Sequence, residues 1–218
     1  MLDSLRSEKF KIMKGLSLLL VEGADAGYFC MYACKAYKLE NIQVVDFGGN
    51  EDLNQNLSIL KLLPGYENVP ALGILRDAEK DAMAAIRSVQ SSLQKNDLPI
   101  PVCPYEFCQE DVGIVFGIFP GSDRGGVYEN GTLEDLCIGS VEADENWECV
   151  DTYIKCVQRK ETLKHIHKAR LYTYLAGKEG YAGCKLGEAA KKGVWDWGSV
   201  KFNKFRTMLE VLNNSAKV

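Results

Sequence analysis

The sequence predicts an α/β protein: a three-layer, mainly parallel sheet with helices on both faces, followed by a C-terminal helical extension. Four apolar runs, LSLLLVEG, IQVVDFGG, VPALGILRDAE and DVGIVFGIFP, show no alternation with polar residues and so read as strands buried on both faces. Between them lie helix-like segments of about 10 to 17 residues, the spacing of βαβ units. Right-handed crossovers then distribute the helices over both faces.

In chain order, LSLLLVEG is the first strand and DAGYFCMYACKAY a helix with Phe29, Ala33 and Ala36 on its apolar stripe. IQVVDFGG is the second strand. The FGGNED that closes it has the glycines of a phosphate-cradling turn, but Glu51 and Asp52 would repel phosphate, which favours a tight turn with Asn50 as helix cap. Helix LNQNLSILKLL, strand VPALGILRDAE, helix DAMAAIRSVQSSLQKN and strand DVGIVFGIFP follow. After Pro120 the pattern changes to a glycine-rich loop, GSDRGGVYENG, and then to helical segments without a further strand. Thr132-Leu-Glu-Asp135 has the form of a capping box, which gives Asp135 a structural task. GSVEADEN reads as a linker, dividing an α/β domain (1–140) from a helical extension (141–218) packed on it.

A chain of 218 residues that is 46% hydrophobic can bury a sizeable core. Its first residues have no signal-peptide apolar segment, and nowhere do about 18 apolar residues run together. A cytoplasmic location with no membrane contact is therefore expected. The eight cysteines then read as reduced thiols. Cys30 and Cys34 stand one helical turn apart and Cys149 and Cys156 two turns, spacings that suit apolar packing positions, and no CxxC pair points to zinc. Trp195 and Trp197 are expected to pack the last helices onto the sheet.

The net charge of −4 conceals a strong polarity: residues 1–154 carry 12 Lys and Arg against 25 Asp and Glu, residues 155–218 carry 14 against 5. The basic part can face a polyanion or dock on the acidic half. Its densest stretch, KHIHKAR, with Lys164, Lys168 and Arg170, is the candidate for following a phosphate backbone.

In parallel sheets ligands gather at the carboxyl ends of the strands. Glu22 ends the first strand, Asp46 lies near the end of the second, Asp77 and Glu79 end the third, and Glu134 follows the fourth through the glycine loop. Such acids repel one another unless a cation or buried partner neutralises them. The Asp-Ala-Glu spacing would turn Asp77 and Glu79 to one side of an extended segment, where both can grip one ion. Pairing with Arg76 or a lysine is the structural alternative.

VEGAD at the end of strand one, RDAE at the end of a later strand and GTLEDL after a further strand resemble the Toprim domain of topoisomerases, primases, ribosomal-RNA maturation nucleases and OLD-family nucleases. The resemblance is greatest to a family of small Toprim-like proteins of bacteria and archaea, which is similar in the order VEG, FGG, RDA, TLEDL and a late LGEAA…WD segment, here LGEAAKKGVWDW. It implies a Mg²⁺- or Mn²⁺-dependent site for phosphodiester chemistry on nucleic acid or a nucleotide. Glu22 would be ligand or general acid/base, Asp77 and Glu79 the Asp-x-Asp metal pair, and Glu134 a later acid of the nuclease branch. Two positions depart from the pattern. Glu79 stands where Asp is usual, and Ala26 stands where many Toprim nucleases place a second acid, with Asp25 one residue earlier as the replacement. The expected activity is nuclease-like. The alternative is a non-cleaving Toprim-derived module that binds metal and nucleotide with a partner ATPase on another chain, this chain having no GxxxxGK[ST] loop.

Overall fold

The computed structural model describes residues 2–5, 7, 9–49 and 53–216, without the side chain of Arg124. The expected cap at Asn50 and the acids Glu51 and Asp52 lie outside the described residues. The four apolar runs form β2 (Ser17–Glu22), β3 (Ile42–Gly48), β4 (Ala71–Asp77) and β5 (Gly113–Phe119), alternating with α1 (Ala24–Ala36), α2 (Leu53–Leu62) and α3 (Ala82–Lys95). A two-residue β1 (Asp3–Ser4) joins the edge. The sheet order is β1-β3-β2-β4-β5, with every neighbouring pair parallel.

This order contains a topological switch point. The chain leaves β2 through α1 towards β3 on one side, then returns through α2 past β2 to β4 on the other. Connections that diverge in this way open a crevice at the carboxyl ends of β2 and β4. Glu22 and Asp77 are the final residues of those two strands.

Both sheet faces are buried, which explains the unbroken apolar runs. Leu18, Leu20, Leu72 and Ile74 meet Leu57 and Leu60 of α2 and Val89 of α3 in one core. Leu19, Val21, Leu75 and Phe119 face α1 and the later helices in the other. Those later helices are α4 (Leu133–Ser140), α5 (Trp147–Gln158), α6 (Ile166–Ala176), α7 (Leu186–Lys192) and α8 (Asn203–Ser215). α8 buries Phe205, Met208, Leu209 and Leu212, an i, i+3, i+4, i+7 stripe, across the middle of the sheet. Its close approach needs Gly73: a Cβ there would lie 2.5 Å from Leu212 Cδ1 and 2.9 Å from Leu19 Cδ1. Trp197 packs on Phe29 of α1 at 5.1 Å and on Phe202 at 5.3 Å, while Trp195 is buried, so both tryptophans serve packing.

Among the described residues, five cations of the basic segment pair with acids of the acidic part: Lys168 with Glu134 (3.8 Å), Arg170 with Asp151 (3.0 Å), Lys178 with Asp144, Lys201 with Glu142 (3.6 Å) and Lys204 with Asp123. Most are partly exposed, worth roughly 0–1 kcal/mol each. The apolar contacts of the second core hold the helices down, and the charges select how they sit.

Three local expectations are corrected. The glycine loop contains a short hairpin, β6 (Asp123–Arg124) with β7 (Val127–Tyr128), turned by Gly125 and Gly126 at φ 63° and 88°. Two-residue strands are too short to show a pattern, but Gly-Gly is a hairpin signal. The buried stripe of α1 runs through Phe29, Cys30, Ala33 and Cys34, leaving Ala36 exposed. Cys149 and Cys156 are also exposed, because α5 buries Trp147, Val150 and Ile154 instead. All eight cysteines are free thiols. Among the described residues, no helix is long and apolar enough to cross a membrane.

Candidate metal centre

The crevice is built from three chain segments. β2 ends at Glu22, where the ladder to β3 shifts register. Gly23 then turns the chain into α1 with φ 86° and ψ 154°, a conformation that essentially only glycine adopts. Asp46 secures this turn by accepting the Gly23 N–H at 3.0 Å and the Gly48 N–H at 2.8 Å. Although it is a strand-end acid, Asp46 is therefore occupied in shaping the backbone.

Glu22 accepts a 3.4 Å contact from Nε of Arg76, whose Nη1 also donates to Ser88 Oγ at 3.1 Å. The guanidinium is only 2% exposed. Burial raises the Glu22 carboxyl, the Arg76 charge and hydrogen bond lower it, and Glu79 raises it again.

Asp77, on the opposite face of β4 from Arg76, accepts the backbone N–H of Leu133 at 2.8 Å. That N–H belongs to the first turn of α4, so the carboxylate joins the strand end to a helix N-terminus. Desolvation nevertheless pushes Asp77 up to about 7; the Leu133 N–H opposes this, and the charges of Glu134, Glu22 and Glu79 add to it.

Glu79 is placed differently from expectation. β4 ends at Asp77, and Glu79 adopts φ 53°, a left-handed conformation costing a non-glycine residue about 1 kcal/mol or more. Asp77 and Glu79 are thus not successive same-side positions of an extended strand. Glu79 exchanges two backbone hydrogen bonds with Gly131, 2.8 and 2.9 Å long, which anchor the turn against the loop leading into α4.

Glu134 lies in the first turn of α4, and Lys168 reaches it from α6. Burial raises the phenol of Tyr172, one turn beyond Lys168, and the charges of Asp25 and Glu134 raise it further. Asp25 itself accepts the N–H of Gly187 at 3.0 Å, tying α1 to α7. Asp135 closes the expected capping box, accepting the Thr132 N–H at 2.9 Å. Of the basic candidates, Lys168 meets the acids, Arg170 pairs with Asp151 and lies over the Trp147 ring, and Lys164 is exposed ahead of α6.

Glu22, Glu79 and Glu134 therefore each act electrostatically on Asp77, and Glu79 also acts on Glu22. Among the described residues, no three His, Cys, Asp or Glu side chains stand together as a ready-made metal cage. Four of the candidate acids have their own engagement: Glu22 with Arg76, Asp77 with Leu133, Glu134 with Lys168 and Asp25 with Gly187. The set still suits a hard divalent cation in kind, being all carboxylate and centred on a partly buried acid that resists ionisation. Sequence reasoning had no signal for Asn130, whose side chain bonds Lys80 and Ala82 beside Glu79.

Fold and site together define an open α/β protein with acids at the switch point of a parallel sheet. The chain belongs to the family described as "Protein of unknown function (DUF3226)", whose model matches residues 16–214. No curated protein matches it. Among solved structures it is similar to the C-terminal region of the Xanthomonas campestris pv. campestris OLD protein. For the iodine-phased structure the TM-score is 0.50 at 14% identity, covering 95% of this chain and 98% of that one. For the mercury-phased structure the TM-score is 0.48 at 15% identity, with coverage of 95% and 98%. The first of these likenesses extends over almost the whole of both chains and concerns the fold.

Proposed function

We propose that this is a Toprim-like protein that uses Mg²⁺ or Mn²⁺ to act on phosphodiesters of nucleic acid, in the manner of a nuclease. One observation carries the reading: Glu22 and Asp77 end the neighbouring strands β2 and β4 at the switch point, and Asp77 is tied through the Leu133 N–H to the helix turn that carries Glu134. A cation would relieve the repulsion of these acids on Asp77. The fold shared with the OLD C-terminal region supports the Toprim resemblance of the VEG, RDA and TLEDL segments.

Glu22, Asp77 and Glu79 would hold the cation, with Asp25 and Glu134 as the further acids. When bound, it would neutralise charge on a phosphate and sharpen a water for attack. The chain's own contribution is positional. Arg76 restrains Glu22, the Leu133 N–H restrains Asp77, and Lys168 offers an ammonium that can exchange Glu134 for a phosphate oxygen.

A second reading has its own support. Asp25, the replacement for the acid missing at Ala26, is engaged by the Gly187 N–H, which leaves the cage one member short. On that reading the protein is a non-cleaving module that binds metal and nucleotide and works with an ATPase on another chain.

Cleavage of labelled single- and double-stranded DNA and RNA separates the two. The nuclease reading predicts weak, Mn²⁺-favoured cutting that rises in Ala26→Asp and disappears in Asp77→Asn. Lys168→Ala should weaken nucleic-acid binding and lower its salt slope by about one. No cutting with either metal, even after Ala26→Asp, selects the module; binding that does not respond to salt rejects contact by the basic segment.

A further inference from the structure

We infer that Asn130 is a positioning residue for the acid site, acting through Glu79. It follows the β6–β7 hairpin, and its side chain clamps the turn carrying Glu79 from the far side. Its Nδ2 donates to the Lys80 carbonyl at 2.7 Å, and its Oδ1 accepts the Ala82 N–H at 2.9 Å. Only the amide side chain, with donor and acceptor on one short stem, satisfies both groups at once. The next residue, Gly131, adds the paired backbone bonds to Glu79.

These four bonds surround one residue in a left-handed conformation, Glu79 at φ 53°. A non-glycine residue stays there only when its surroundings over-determine it, and such clamped strain gathers at functional sites. Without the clamp the Lys80–Ala82 backbone is free to relax, and Glu79 would swing from the position at which its charge acts on Glu22 and Asp77. Asn130 thus sets the reach of the third acid, as an outer partner orients a metal ligand.

The inference rests on the metal reading above, and a double-mutant cycle on Mn²⁺ affinity, followed by electron paramagnetic resonance of free Mn²⁺, tests the two separately. Asn130→Ala is expected to weaken Mn²⁺ binding by roughly tenfold or more. In a Glu79→Ala background the same change should have almost no effect, since the residue it positions is gone. Thermal stability in EDTA serves as the structural control. Equal losses in the two backgrounds, or none in the first, overturn the positioning role while leaving the metal site standing. Failure of the unaltered protein to bind Mn²⁺ overturns both. Should Asn130→Ala not fold, Asn130→Ser carries the same cycle.

Discussion

Replacing Asp77 with asparagine is expected to stabilise the protein in EDTA at pH 8 by up to about 4 kcal/mol, the cost of ionising there a carboxyl that the fold holds at about 7. The folded protein pushes this carboxyl up to about 7, chiefly by desolvation. Between about pH 4 and pH 7 the unfolded chain has lost this proton while the folded chain keeps it, so stability falls as pH rises through the window and levels off above it. Asparagine carries no such dependence and can still accept the Leu133 N–H through its amide oxygen. Urea denaturation from pH 4 to pH 8 should show the two proteins diverging with pH. A constant difference, or a wild type that gains on the variant as pH rises, would contradict the assignment. The variant thus becomes more stable while losing a proposed ligand, the trade expected where a site holds charge against its own fold.

Arg76→Ala is expected to act in the opposite direction, costing about 3 kcal/mol. The guanidinium is buried, bonded to Ser88 and set beside Glu22. Removing the arginine leaves the partly buried Glu22 without its partner, and the packing of the buried arginine stem is lost as well. Glu22→Gln should also destabilise, by exposing the buried guanidinium to the same deficit. Denaturation midpoints measure both; an Arg76→Ala loss below about 1 kcal/mol would mean that solvent already screens the pair.

The sheet was legible because burial on both faces forces unbroken apolar runs, as in Leu18 to Val21 and Gly113 to Phe119. The switch-point acids were legible for a related reason: Glu22 and Asp77 interrupt those runs where the strands stop. Thr132 to Asp135 was readable because a capping box is local in sequence. What escaped depends on distant partners or on single dihedral angles. Asp25 looks available until Gly187, 162 residues away, donates to it. Glu79 looks like the next same-side position after Asp77, and only its left-handed φ, imposed by Gly131 and Asn130, shows otherwise. The two destinations considered for the basic segment could not be separated by composition, since an ammonium paired with Glu134 and one awaiting phosphate look alike in a sequence.

Crystals soaked in Mn²⁺ and measured at a wavelength that gives manganese anomalous scattering test the central claim most directly. The account predicts an anomalous peak in the crevice at the ends of β2 and β4, about 2.1 Å from a carboxylate oxygen of Asp77 and at similar distance from Glu22, Glu79 or Glu134. A peak bound elsewhere on the protein, or an empty crevice at Mn²⁺ concentrations that occupy other sites, would contradict it.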